Sequence, residues 1–131
     1  MKDAACFTGR VPRDAVAAYR DALDLFVVPR HDRAVTRTVA PLKPVEAMAS
    51  GRPLVVSALA PLLEVIGAEV LDAGVAVSPG DAHDLARKIV EFENDPELRA
   101  RVSAAGRARA AELTWSAAGS TYRDCLLTAG R

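Results

Sequence analysis

Pro41–Ser57 reads PLKPVEAMASGRPLVVS. Its first half is small and alanine-rich, with Pro44 suited to the first turn of a helix. Gly51 ends that helix, being the residue type that most readily takes the left-handed cap conformation. PLVVS, residues 53–57, then has the composition of a buried strand. Upstream, DLFVVP at residues 24–29 is a continuous apolar run closed by Pro29, the pattern of a parallel strand covered on both faces. Strand, helix over Pro44–Ser50 and strand together predict a parallel α/β unit.

Working outward, AACFT at residues 4–8 and GVAVSP at 74–79 are further strand candidates, the first ending at Gly9. Val16, Tyr19 and Leu23 share one face of a predicted helix over 12–23, and Leu59–Ile66 predicts another. Asp81 is placed to cap a helix carrying Leu85, Ile89 and Phe92 on one face. Asp95, Pro96 and Glu97 form a second start signal. Thr114 caps a last helix to Ala129 with Trp115, Ala118, Tyr122 and Leu126 on its face. The fold expected is α/β: one partial Rossmann-like domain over residues 1–131, with strand and helix alternating over 1–80 and helices over 81–131.

In open parallel sheets ligands bind beyond the carboxyl ends of the strands, here the loops after Thr8, Val28, Ser57 and Val77. The helix at Pro44 begins in that region, and it admits two readings. Its unpaired N–H groups and partial positive charge suit a phosphate, Lys43 adds charge, and Glu46 suits the two hydroxyls of a ribose. Alternatively, Glu46 only favours the helix dipole, an effect of ~0.3–1 kcal/mol that needs no ligand. The polar loop RHDRAVTRTVAP, residues 30–41, is long enough to be functional; its His31 reads as a surface residue, as does His83.

Composition excludes other classes. Seventeen basic against seventeen acidic residues leave no electrostatic footprint for nucleic acid. Arg99, Arg101, Arg107 and Arg109 read as a solvated face beside Asp95, Glu97 and Glu112. Cys6 and Cys125 lack metal spacing and are expected to be buried small hydrophobes in a reducing compartment. No apolar run approaches the ~20 residues of a membrane span, and the cytoplasm is the expected location. No glycine-rich phosphate loop, dinucleotide fingerprint or nucleophile elbow occurs, and the two histidines have no metal-ligand partners.

The ordered blocks FTGRVP, VAAYRDALDLFVVPR, PLKPVEAMASGRPLVVS, GVAVSPGDAHDLARKIVEF and LTWSAAGSTYRDCL resemble the carboxyl-terminal domain of retaining glycosyltransferases of family 4, the group 1 type. The match runs from Phe7 through nearly the whole chain. Pro29-Arg30 resembles the PR pair that ends the second strand in one branch of the family. The resemblance implies the carboxyl-terminal half of a GT-B fold, with a sheet covered by helices on both faces. It implies transfer of a sugar from a nucleotide-diphosphate sugar with retention of configuration, with no cofactor and no bound metal. Carried over by position, Glu46 holds the ribose, the backbone at Leu42 and Lys43 contacts the diphosphate, and Gly9 lies near the nucleobase.

Arg30, Arg37 and Thr38 complete the candidate nucleotide-sugar site. Thr38 stands where many members place a glutamate on the donor sugar, Pro41 where glycine is usual, and Leu59-Ala60 where a glycine-rich turn is common. Nucleotide binding is therefore expected to be better kept than sugar selection. The family's acceptor-binding domain and its first strand–helix units do not fit in 131 residues, so the chain is expected to be a fragment or split subunit. The partners expected are a sugar or lipid-linked acceptor at the inner membrane surface and a partner chain, or self-association through an exposed sheet edge. The alternative is a non-catalytic remnant or interaction module retaining half of the fold.

Overall fold

The computed structural model describes residues 5–129. Among them three strands form one parallel sheet in chain order: β1 (Phe26–Val28), β2 (Leu54–Ser57) and β3 (Ala76–Val77). Val28 lies opposite Val56, and Ser57 opposite Val77. The helices are α1 (Val16–Asp21), α2 (Lys43–Ser50), α3 (Ala60–Ile66), α4 (Ala68–Asp72), α5 (Ala82–Asn94), α6 (Pro96–Glu112) and α7 (Trp115–Ala129). A 3-10 turn occupies Ala34–Arg37 in the long loop before α2.

Leu54, Val55 and Val56 are all fully buried. Successive strand side chains point to opposite faces, so both faces of β2 are covered. α2 packs on β1 and β2, α5 packs on β2 and β3, and α6 lies mainly along α2. Met48 on α2 is fully buried, a burial worth about 1.5–3 kcal/mol. Gly106 lets α6 approach it closely, since a Cβ there would stand 3.2 Å from Met48 Cγ.

The helix signals are built as the sequence predicts. Gly51 closes α2 at φ 69°, and its N–H reaches the Met48 carbonyl at 2.9 Å. Asp81 Oδ1 accepts from the His83 and Asp84 N–H groups at 2.9 and 3.0 Å. Asp95 Oδ1 accepts from Leu98 N–H at 2.8 Å, and Thr114 Oγ1 from Ala117 N–H at 3.1 Å.

Three expectations are corrected. Residues 5–8 form no strand, and Phe7 is 95% exposed; an apolar run becomes a strand only beside a partner that covers it. Cys6 and Cys125 are both exposed free thiols, because Cys6 lies in that same uncovered segment and no described residue of α7 is buried. The arginine-rich helix face is solvated only at Arg101 and Arg107. Arg99 donates to the Phe92 and Glu93 carbonyls, and Arg109 to those of Glu64 and Val65, capping the carboxyl ends of α5 and α3.

Candidate functional site at the carboxyl edge of the sheet

α2 returns the chain between two parallel strands, so its carboxyl end precedes β2 and its amino end opens at the carboxyl edge of the sheet. Burial of Pro44, Ala47 and Met48 holds it against the core. Its first turn therefore faces the region where ligands of parallel sheets bind, with dipole and orphan N–H groups directed there. Leu42 is the exposed residue preceding the helix, and its carbonyl accepts the Glu46 N–H at 3.0 Å. Lys43 and Glu46 both lie in that turn, Nζ 3.9 Å from Oε2. Leu42 and Glu46 line a groove of about 530 Å³ whose opposite wall is the start of α7, including Thr114 and Trp115.

Arg30 lies apart, just beyond the end of β1. With His31, Ser57, Ser78 and Gly80 it lines a separate cavity of about 230 Å³ across the ends of the three strands. His31 and Gly80 pack closely there, since a Cβ on Gly80 would lie 3.1 Å from His31 Nδ1. The Arg30 guanidinium donates to the Val39 carbonyl at 3.2 Å.

Arg37 is occupied within its own loop, donating to Asp32 through Nε at 2.5 Å and Nη2 at 2.8 Å. That hydrogen bond holds the Asp32 carboxyl below the usual carboxylate range and raises Arg37. Thr38 donates to the Ala34 and Val35 carbonyls and ends the 3-10 turn. Gly9 is exposed, at φ 63°, with open space on its side-chain side. The structure thus brings Leu42, Lys43 and Glu46 together, and leaves Arg37, Thr38 and Gly9 on exposed segments. Among the described residues no three His, Cys, Asp or Glu side chains are grouped to hold a metal. No helix among them is long and apolar enough to cross a membrane.

Ser57 escaped the sequence reading. It is a buried hydroxyl at the carboxyl end of an apolar strand, 2% exposed, and it bonds to both backbone groups of Arg30. The signal was available: a lone polar residue ending PLVVS, on the strand beside Pro29-Arg30.

A parallel sheet with helices on both faces and a helix start at its carboxyl edge defines a Rossmann-like α/β protein. The sequence matches the family model for glycosyl transferases group 1 over residues 1–109, and the chain belongs to that family. Its fold is similar to that of sucrose-phosphate synthase from Thermosynechococcus elongatus, at a TM-score of 0.70 and 29% identity. The likeness covers 96% of this chain and 31% of that one, so the chain spans less than a third of the matched structure's length. No curated protein matches the sequence as a relative.

Proposed function

We propose that the chain is the donor-binding part of a glycosyltransferase. It would bind a nucleotide-diphosphate sugar, and the sugar would pass to an acceptor with retention of configuration. A further domain or partner chain would supply the acceptor side. One observation carries this reading: in a chain of this family, the first turn of α2 presents Lys43 and Glu46 at the carboxyl edge of a parallel sheet.

The chemistry fits the parts. Orphan N–H groups and Lys43 supply positive charge to a diphosphate, whose charge grows as the sugar leaves. Glu46 accepts hydrogen bonds from ribose hydroxyls. Its ion pair with Lys43 is exposed and therefore worth ~0–1 kcal/mol, too little to hold either side chain from a ligand. Titration with uridine-, adenosine- and guanosine-diphosphate sugars tests the reading. Heat of binding with NMR shifts centred on residues 42–46 is the expected result, and silence with every donor removes its support.

A second reading, an interaction module without catalysis, is favoured by α7. Trp115, Tyr122 and Leu126 on that helix are 90%, 72% and 64% exposed. A monomer in sedimentation that transfers sugar unaided would exclude it.

A further inference from the structure

The backbone ladder between β1 and β2 ends at the pairing of Val28 with Val56. The next rung in register would join the Arg30 N–H to the Ser57 carbonyl, but that carbonyl accepts the Leu59 N–H at 2.8 Å instead. Arg30 is left with a donor and an acceptor that the sheet no longer serves. The Ser57 hydroxyl serves both, accepting the Arg30 N–H at 2.8 Å and donating to the Arg30 carbonyl at 3.0 Å. A side chain thus replaces one rung of the ladder while the main chain turns away.

From Arg30 the linkage runs outward. Its guanidinium donates to the Val39 carbonyl at 3.2 Å and closes the loop on itself. Inside the closure, Thr36 Oγ1 donates to the His31 carbonyl at 2.7 Å and accepts the Arg33 N–H at 2.9 Å. Val39 stands close in sequence to Leu42, where α2 begins. The start of α2 is therefore fixed from its core face by Pro44 and Met48, and from the loop side through Arg30.

We propose that Ser57 is a positioning residue for the donor site: by fixing Arg30 it holds the loop that presents the first turn of α2. The proposal rests on the donor-binding reading and adds a residue that touches no donor itself. Ser57→Ala removes the side-chain partner of both Arg30 backbone groups at once. It is expected to release the loop from the sheet edge while the core stays packed, leaving only the bonds within residues 30–42. Ser57→Thr keeps the hydroxyl.

Amide hydrogen exchange and titration with uridine, adenosine and guanosine diphosphates test this on the full chain. Ser57→Ala is expected to speed exchange across residues 30–42 and not within α6, and to weaken diphosphate binding roughly three- to tenfold, the scale of one or two lost hydrogen bonds. Ser57→Thr restores both. Val55→Ala, a core cavity on the same strand, lowers stability and leaves the affinity alone. Diphosphate binding that falls equally in Ser57→Ala and Val55→Ala overturns the positioning role, as does unchanged exchange over 30–42. A wild-type chain that binds none of the diphosphates overturns the donor reading instead, and exchange alone still reports whether Ser57 holds the loop. If Ser57→Ala fails to fold, Arg30→Met cuts the same linkage at Val39, and protection of 30–42 that survives it overturns the proposal.

Discussion

Lys43 and Glu46 stand one helical turn apart at the start of α2, Nζ 3.9 Å from Oε2, with side chains 63% and 40% exposed. A pair this open contributes little to the fold. The geometry therefore separates the two roles of Glu46, because its loss cannot unravel the helix that Pro44 and Met48 anchor.

Glu46→Ala is expected to weaken nucleotide binding by about 1–3 kcal/mol, the scale of hydrogen bonds lost from a ligand site, and to lower stability by less than about 1 kcal/mol. Calorimetric titration beside urea unfolding checks both quantities. Unchanged affinity with a small loss of stability would return Glu46 to its helix-dipole role alone.

The contact of α2 with α6 sets where that helix start can stand. Gly106→Val puts methyl groups where a Cβ alone would already lie 3.2 Å from Met48 Cγ. Both residues are buried, so α6 must shift, and the expected loss is about 1–3 kcal/mol in urea unfolding. Met48→Ala in the same chain makes room and should recover part of it. Additive losses would mean that the two side chains do not compete for the same space.

Much of this was legible in the sequence wherever a local rule governed the outcome. Gly51 stopped α2, Asp81 and Asp95 capped their helices, and the apolar runs around Val27, Val55 and Ala76 became the sheet. The misses share a cause. Ala5–Thr8 has strand composition, but pairing is decided by a neighbour, and none covers Phe7. Helix α4 went unread because Gly67 at φ 77° starts it without a side-chain cap. Arg99 and Arg109 reach carbonyls of other helices, which helical spacing alone cannot reveal. At the site, the Lys43–Glu46 turn was legible; the Ser57–Arg30 link was not, because it joins residues 27 apart in the chain.

Acid should loosen the turn between β3 and α5. The Ser78 N–H donates to Asp84 Oδ2 at 2.7 Å, and this bond, ahead of nearby Arg87, holds the carboxyl below its ordinary value. A depressed carboxylate contributes stability that is complete above its unfolded value, about 3.9, and is lost as pH falls through the folded value. Asp84→Asn should thus be less stable than wild type near neutrality, and the difference should shrink as pH drops below about 4. Asp32, lowered by its bond to Arg37, acts in the same window. Urea midpoints measured across that range check the sign; a gap that stays constant would show that charge on Asp84 is immaterial.

Trp115 is the single tryptophan of the chain and is 90% exposed at the start of α7, on the groove that Glu46 shares. Its fluorescence is expected to be that of indole in water, freely quenched by acrylamide, in the isolated chain. Because Trp115, Tyr122 and Leu126 are largely exposed and no described residue of α7 is buried, Trp115→Ser should change the unfolding midpoint little, within about 0.5 kcal/mol for a surface position. A protein partner that covers this face would move the emission to the blue and protect it from quenching. A nucleotide diphosphate seated at α2 alone would alter quenching only at the end of the groove nearest Glu46, leaving Tyr122 unaffected. The two ligands are thus told apart by which aromatic responds. A blue-shifted, protected Trp115 in the isolated chain would mean that α7 already folds against its own domain.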